Sequence, residues 1–307
     1  MQLDQVKIVA DSSSDVLAMK GVAFETAPLK IITAEKEYVD NAVLDVRGMV
    51  EELQRYKGKS STSCPNTAEW LAAFGEARWV FCVTITGTLS GSYNAACMAK
   101  EVYEEAHPDR RVFVLNTLSA GPEICLILER LQQLVMQGLT FEEVVERITS
   151  YRENTGLLFM LESLQNFAKN GRVSPLLARV VGVLGVRVVG KASDVGDLEP
   201  LDKCRGEQKA LSDVVRRLEE QGFVGGRVRI AHCFNEAAAL ELKSQITAGF
   251  PTAEVVIYPC RGLCSFYAER GGLLVGLKKR RYNTTGGREF LPPVWINSTV
   301  YRVRTPG

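Results

Sequence analysis

The residues best suited to binding chemistry lie in one hydroxyl-rich stretch, FCVTITGTLSGSYNAA, at positions 81–96. An apolar, β-branched run gives way near Thr86 to small and hydroxyl-bearing residues that continue to Ser92. This pattern predicts a strand, a tight turn and a helix. The first amide groups of such a helix, its dipole and the turn hydroxyls can together bind a carboxylate or a phosphate. The same residue types also suit an ordinary capped turn, so the stretch alone leaves both interpretations open.

Three other hydroxyl-rich segments have comparable positions in the sequence. One follows the predicted strand KIVAD at 7–11, one is the loop GKSSTSCPN at 58–66, and one follows the predicted strand RVFVL at 111–115. Alternation of strand, polar turn and helix is typical of a parallel sheet, whose ligands lie beyond the carboxyl ends of the strands. We therefore expect all four hydroxyl-rich turns to share one edge of a sheet.

The order of predicted elements indicates an α/β protein with two α/β domains. Residues 1–155 form the parallel-sheet domain that carries the anion site, and residues 156–282 form a smaller C-terminal α/β domain. Within the first domain we expect a helix to begin at Val16 and a single strand to cover 22–33. Residues 283–307 lose hydrophobic periodicity and contain two adjacent prolines, so we expect an arm outside the core.

The composition narrows the class of protein. Lys and Arg number 37 against 36 Asp and Glu, so no general positive field exists for nucleic acid and an anion must be bound locally. No apolar run has the length of a membrane span, and the first residues do not resemble a secretory signal. The eight cysteines lie mostly in apolar segments, which favours reduced thiols, a cytoplasmic location and no metal site.

An enzyme that uses Ser90 is the main alternative to a binding protein. A hydrolase elbow of the GxSxG type needs glycines where this chain has Thr88 and Ser92, and only two histidines are present. An enzyme acting on a small phosphorylated ligand would suit the anion-binding turn, but the chain lacks P-loop and GxGxxG signatures. We therefore expect no catalytic residue and no cofactor.

Five segments in order give the chain a resemblance to a known family. They are DSSSD at 11–15, TSCP at 62–65, TLSGSYNAA at 88–96, LQNFAKNGRVS at 164–174 and KCRGEQKAL at 203–211. Together they resemble the motifs of the DegV family of bacterial fatty-acid-binding proteins, over roughly residues 5–280. The resemblance implies two α/β domains with a long-chain fatty acid in an apolar tunnel at their interface. It also implies a role in phospholipid metabolism, in which some members present the bound acid to a fatty acid kinase.

The resemblance also implies which residues bind the carboxylate. Matched to the family motifs, the ligands are the hydroxyls of Thr62 and Ser90, the backbone at Gly91, and the side chain of Arg205. A desolvated carboxylate needs several such neutral or cationic donors. Residues expected to lie behind these ligands or close to them are Asp11, Ser12, Ser14, Thr86 and Ser92.

The chain departs from the family pattern in two places. Cys64 and Asn66 replace an amide and a hydroxyl in the turn after Thr62. In the closing segment RGLCSFYAERGGLLVGL, Tyr267 or Ala268 stands at about the position of a family histidine, and the adjacent charges of Glu269 and Arg270 are candidates to replace it. The second departure predicts that fatty-acid binding is retained and that presentation to a kinase is weak.

Overall fold

The computed structural model describes residues 1–174 and 185–279, which form two α/β domains. The predicted arm at 283–307 lies outside the described residues. The strands are β1 Val6–Asp11, β2 Ala23–Ala27, β3 Lys30–Ile32, β4 Glu37–Val39, β5 Ser61–Ser63, β6 Trp79–Thr84, β7 Arg111–Asn116, β8 Thr155–Leu161, β9 Val186–Ala192, β10 Leu198–Arg205, β11 Gly226–His232, β12 Ala253–Pro259 and β13 Leu273–Lys278.

Two of the helices begin at a reciprocal side-chain cap. Asn66 and Thr140 each form a reciprocal capping box with the glutamate three residues later, which satisfies backbone donors that a helix start leaves unpaired. No helix within the described residues is long and apolar enough to cross a bilayer. The helices are α1 Val46–Arg55, α2 Thr67–Phe74, α3 Ser92–Ala106, α4 Pro122–Met136, α5 Phe141–Arg152, α6 Gln165–Lys169, α7 Glu207–Glu220, α8 Glu236–Gly249 and α9 Gly262–Ala268.

The first domain is built on a four-stranded sheet of order β2-β1-β6-β7. All of its neighbouring strands are parallel, so the predicted parallel sheet is confirmed. The carboxyl ends of β1, β6 and β7 therefore lie at one edge, which brings three of the four hydroxyl-rich turns together.

The fourth hydroxyl-rich segment belongs to a separate sheet, so the expectation of one shared edge was wrong for it. Thr62 lies on β5 in a small antiparallel sheet of order β4-β3-β5, opposite Ile31. The single strand expected at 22–33 is divided between this sheet and the parallel one. The division falls at Pro28, which has no amide hydrogen to donate to a continuous strand ladder.

The helix expected at Val16 is also absent from this position. Ser12–Ser14 form one 3₁₀ turn, and Asp15 follows in the left-handed region with φ 58°. The carboxylate of Asp15 accepts a hydrogen bond from the distant amide of Arg261. This tertiary contact, together with the left-handed backbone, diverts the chain from a helical path.

The second domain has a six-stranded sheet of order β10-β9-β8-β13-β11-β12. Only β11 and β12 are parallel, and the other neighbouring pairs are antiparallel. Strands β1, β2, β6 and β7 form the sheet of the first domain, and β8 to β13 form the sheet of the second. The domain bounds 1–155 and 156–282 remain an interpretation of the sequence. With six strands, this sheet is larger than the parallel sheet of the first domain.

Helix α4 lies between the two large sheets and is buried along nearly its whole length. It packs on β8, β11 and β13 of the second sheet as well as on β1 and β6 of the first. Its Glu129 carboxylate accepts two hydrogen bonds from the buried guanidinium of Arg229, at 2.6 and 2.8 Å. The apolar core is therefore continuous across the domain interface, because the main cluster contains residues of both domains.

Candidate functional site

A cavity of about 260 Å³ lies between the two domains. One group of its lining residues carries hydroxyl, thiol or guanidinium groups, and the larger group is apolar. The polar lining residues are Thr62, Ser63, Cys64, Thr86, Ser90, Arg172, Cys264 and Tyr267, and the others are Leu29, Ile85, Leu89, Gly91, Ala120, Leu157, Phe159, Leu161, Phe167, Leu198, Leu263, Ala268 and Leu274.

The turn between β6 and α3 supplies Thr86, Ser90 and Gly91 to the cavity. The Ser90 hydroxyl accepts a hydrogen bond from the amide of Ser92 at 3.3 Å, and Thr86 accepts one from the amide of Thr88 at 3.3 Å. These bonds fix the two hydroxyl groups on a turn that ends at the start of α3. The Ser90 hydroxyl hydrogen remains available to donate to an anion.

A buried carboxylate holds this turn from behind. Asp11 accepts hydrogen bonds from the Ser92 hydroxyl at 2.6 Å, from the Ile85 amide at 2.9 Å and from the Ser13 hydroxyl at 2.5 Å. Burial raises the pKa of Asp11 and these hydrogen bonds oppose the rise. Asp11 does not line the cavity, so it supports the turn without facing a bound anion.

The remaining hydroxyls of the DSSSD segment have internal partners. Ser12 accepts a hydrogen bond from the Leu29 amide at 3.0 Å, and Ser14 accepts one from the Val16 amide at 3.3 Å. Neither serine lines the cavity. A supporting role for Ser12 and Ser14 behind the head-group donors stays a prediction.

The strand β5 brings Thr62 into the polar part of the lining. The Thr62 hydroxyl and the Tyr267 phenol lie 2.8 Å apart and share one hydrogen bond. Burial raises the pKa of Tyr267, and its hydrogen bond to Thr62 opposes this, so the phenol stays neutral near pH 7 and retains a proton to donate. Tyr267, which the sequence suggested only as a replacement for a family histidine, is thus part of the lining.

Arg172 is a cationic lining residue that the sequence reasoning missed. Its Nε donates to the Leu89 carbonyl at 3.2 Å and its Nη1 donates to the Asn170 carbonyl. The arginine therefore spans from the segment after α6 to the hydroxyl turn of the first domain. The motif LQNFAKNGRVS contains it, so the motif was the signal, but nothing in its spacing indicates contact with a turn 80 residues earlier in the chain.

Arg205 is not brought to the cavity. It lies at the end of β10 opposite Val186, and its side chain is exposed, whereas that of the adjacent Cys204 is buried. Successive side chains of a strand point to opposite faces of the sheet. Burial of Cys204 in the core of the second domain therefore turns Arg205 toward solvent.

The two charges proposed from the closing segment also lie outside the lining. Glu269 accepts hydrogen bonds from the Ser163 hydroxyl at 2.9 Å and from the Asn166 amide at 3.2 Å, and burial raises its pKa. The Arg270 guanidinium is exposed and lies over the ring of Phe234. Neither side chain faces the hydroxyl groups of the turn.

The cavity lacks the groups that a hydrolase would require. Among its described lining residues there is no histidine, aspartate or glutamate to activate Ser90. The His232 ring, which is not part of the lining, accepts a hydrogen bond from the Asn235 amide at 3.3 Å, and burial lowers its pKa. In the part of the chain that the structure describes, no cluster of His, Cys, Asp and Glu could hold a metal ion.

The apolar wall comes from both domains. Leu157, Phe159 and Leu161 alternate along β8, so they share one face of the second sheet, and Leu29 and Ile85 face them from the first domain. Hydroxyl, amide and guanidinium donors at the edge of an apolar cavity suit a ligand with one anionic group and a long hydrocarbon part.

Comparison with known proteins agrees with this architecture. The model of the DegV family, whose members it describes as uncharacterised proteins, matches residues 5–278. The chain belongs to the DegV family. A DegV domain-containing protein of Streptococcus pneumoniae is 46% identical over 274 residues, which cover 88% of this chain and 98% of the relative.

Two solved DegV-type structures are similar in fold and contain fatty acids. The Fatty Acid Kinase (Fak) B3 protein of Streptococcus pneumoniae, loaded with linoleic acid, has a TM-score of 0.88 and 45% identity, and the match covers 90% of this chain and all of that one. A DegV family protein from Eubacterium eligens, loaded with heptadecanoic acid, has a TM-score of 0.88 and 42% identity at the same coverage.

Proposed function

We propose that the protein binds one long-chain fatty acid in the cavity between its domains. The carboxylate accepts hydrogen bonds from the hydroxyls of Thr62 and Ser90, the Gly91 amide and the Arg172 guanidinium. The acyl chain lies against the apolar walls. The observation that carries the proposal is that one cavity combines these donors with a mainly apolar lining.

Two features favour a carboxylate as the head group. Among the described residues, the lining has one guanidinium, several neutral hydroxyls and no carboxylate, so a ligand with a single negative charge binds there without electrostatic repulsion. The similarity to proteins loaded with linoleic and heptadecanoic acids, each above 40% identity, supports the same ligand class here.

Titration with linoleic acid and with its methyl ester tests this proposal. The two ligands share the acyl chain, but the ester lacks the charge that the donors bind. We expect saturable binding of the acid, a higher melting temperature in its presence, and clearly weaker binding of the ester. Equal binding of both would contradict the assignment of the donors, and binding of neither would reject a fatty-acid carrier.

We further propose that the bound acid is presented to a fatty acid kinase. The sequence alone predicted weak presentation, because the closing segment lacks the family histidine. The 45% identity to a protein titled Fatty Acid Kinase B3 over nearly the whole chain supports presentation. A reconstituted assay with labelled ATP, the lipid-loaded protein and a fatty acid kinase tests it. Acyl phosphate formation is expected, and its absence with an active kinase would restore the prediction of weak presentation.

The carrier itself is proposed to be non-catalytic and cytoplasmic. Its eight cysteines carry free thiols, six of them buried, as is usual in a reducing compartment. An esterase assay with a long-chain acyl ester tests the competing role of Ser90. No turnover above the Ser90→Ala background is expected, and turnover that depends on Ser90 would favour the hydrolase alternative.

A further inference from the structure

Helix α9 links the cavity to the first domain. It follows β12 of the second domain, yet it packs against β3, α1 and the 3₁₀ turn Ser12–Ser14 of the first. Four of its seven residues line the cavity, namely Leu263, Cys264, Tyr267 and Ala268. The position of this helix therefore determines where the Tyr267 phenol lies.

Two buried carboxylates of the first domain fix the start of α9. The Arg261 amide donates to Asp15 at 2.8 Å, and the amides of Gly262 and Leu263 donate to the two oxygens of Asp40 at 2.9 and 2.8 Å. Three consecutive backbone donors are thus satisfied by side chains more than 220 residues away. Both carboxylates are about 1% exposed, so water does not compete for these bonds.

The fit around Asp40 is tight. A Cβ atom added at Gly262 would lie 2.6 Å from the carboxylate oxygen Oδ1 and 2.7 Å from the Leu44 side chain. Only glycine lets the helix start approach the carboxylate this closely. At the other end of α9, the Tyr267 phenol is held by its hydrogen bond to Thr62. The helix is therefore fixed to the first domain at both ends.

We propose that Asp15 and Asp40 are positioning residues for fatty-acid binding, because they hold α9 so that the Tyr267 phenol donates to the Thr62 hydroxyl and leaves the Thr62 hydrogen directed at the carboxylate. The inference rests on the proposed function. It adds Tyr267 as the group that orients Thr62, and it assigns the two buried aspartates a role in affinity rather than in stability alone. Neither aspartate touches the ligand, since neither lines the cavity.

A double-mutant cycle tests this role. Tyr267→Phe removes the donor, and Asp40→Asn replaces one carboxylate oxygen by an NH₂ group that cannot accept from a helix amide. Each single change is expected to weaken linoleic acid binding about tenfold, the effect of one lost hydrogen bond to a charged group. The double variant should bind no more weakly than either single one, because Asp40 acts through Tyr267.

Two further variants complete the cycle. Gly262→Ala disturbs the same contact from the helix side and should behave like Asp40→Asn, which keeps the test valid if Asp40→Asn does not fold. Thr140→Ala removes a helix cap on α5, remote from the cavity, and should leave affinity unchanged. Effects of Asp40→Asn and Tyr267→Phe that multiply to about a hundredfold would overturn the proposal.

A measurement without lipid separates this inference from the proposed function. In ¹³C-tyrosine-labelled protein, the Tyr267 signal is assigned by its loss in Tyr267→Phe. Asp40→Asn should shift that signal in the same direction as Thr62→Val, which removes the hydrogen-bond partner. Failure of linoleic acid to bind with this shift present would reject only the fatty-acid proposal, whereas an unshifted signal would reject the positioning role.

The pH dependence of binding gives an independent readout. Burial raises the pKa of Asp15 to about 8, and the nearby Asp40 carboxylate adds to the rise, while the Arg261 amide and guanidinium oppose it. Four cysteine thiols within the described residues also interact with Asp15, and burial raises their own pKa values. They are those of Cys125, Cys233, Cys260 and Cys264.

The direction of the pH dependence follows from which state of α9, docked or undocked, favours protonated Asp15. Docked α9 keeps Asp15 buried and favours its protonated form, whereas undocked α9 exposes it and returns its pKa toward 3.8. Docking is therefore weakened as pH rises toward about 8. Linoleic acid affinity should fall over that range in the parent and fall less in Asp15→Asn, in which only Asp40, whose pKa burial also raises, still titrates at this contact. Identical pH profiles would contradict the role of Asp15.

Discussion

The head-group donors differ in how firmly the protein orients them. Ser90 lies in the turn between β6 and α3, and Thr62 lies on β5. Each already takes part in one hydrogen bond, Ser90 with the Ser92 amide and Thr62 with the Tyr267 phenol. Each therefore presents its remaining donor or acceptor in a fixed direction. Because these donors are already ordered, less conformational entropy is lost when an anion binds.

Removing either hydroxyl should weaken binding without unfolding the protein. Ser90→Ala and Thr62→Val each delete one hydrogen bond to a charged group, worth about 1.5–3 kcal/mol, so the Kd for linoleic acid should rise about tenfold or more. Calorimetric titration gives the Kd, and a thermal melt without ligand is the control. Unchanged affinity in the double variant would move the carboxylate to another part of the cavity.

Substitution of Arg172 and, separately, of Arg205 tests which arginine binds the carboxylate. Arg172→Gln should weaken linoleic acid binding more than it weakens binding of the methyl ester, because only the acid has a negative charge for the guanidinium to bind. Arg205→Gln, on the exposed face of β10, is the matched control and should leave both ligands unaffected. A larger effect of Arg205 would restore the assignment made from the sequence.

At the level of elements, local patterns predicted the strands β1, β6 and β7, and the helices α2 and α5 begin at caps that are visible in the sequence. Their signals are short in sequence: an apolar run, or a cap three residues before a glutamate. The errors came where distant contacts decide the outcome. Asp15 is engaged by Arg261, and Pro28 separates two strands that join different sheets.

The site shows the same division. Motifs located Thr62 and Ser90, since each lies within a recognisable segment. The proximity of Tyr267 to Thr62 joins residues 205 positions apart, and Arg172 meets the hydroxyl turn only through the docking of α6 and the segment after it. Proximity of this kind follows from packing between domains, and no local pattern in the sequence encodes it.

The buried ion pair between α4 and β11 makes a prediction about stability. Glu129→Gln should lower the free energy of unfolding by up to about 3–5 kcal/mol. It removes the buried carboxylate that pairs with the Arg229 guanidinium and leaves, among the described residues, only the half-exposed Glu254, at 3.2 Å. Glu142→Gln breaks an exposed pair with Arg111 and should cost at most about 1 kcal/mol. Urea unfolding measures the free energy of unfolding of both variants. Equal losses would contradict the claim that the buried ion pair contributes more than the exposed one.

The tip of the β9–β10 hairpin makes a second prediction at this scale. Gly196 has φ +88°, and an added Cβ would lie 2.1 Å from the Thr86 hydroxyl oxygen. Gly222 has φ +77° with nothing within 4 Å, so Gly222→Ala measures backbone strain alone, about 1–2 kcal/mol. Gly196→Ala should cost more than this in thermal unfolding and should also weaken lipid binding, whereas a loss equal to that of Gly222→Ala would exclude a steric contribution.

At the scale of the whole molecule, the cavity exists because two domains share one core. Its polar lining comes mainly from the first domain, and much of its apolar wall comes from β8, β13 and α9. Helix α4, clamped between the sheets, and the contacts of α9 with the first domain hold these two halves together. A ligand with an anionic end and a hydrocarbon body therefore contacts both domains at once, so binding should stabilise their association.

The central claim is that this cavity holds one long-chain fatty acid by its carboxylate. Native mass spectrometry of the protein purified from bacteria, followed by denaturing extraction, tests it most directly. We predict one fatty acid per chain in the parent protein and a largely empty population in the Thr62→Val, Ser90→Ala double variant. A parent protein that carries no acyl chain and gains none from added linoleic acid would contradict the claim.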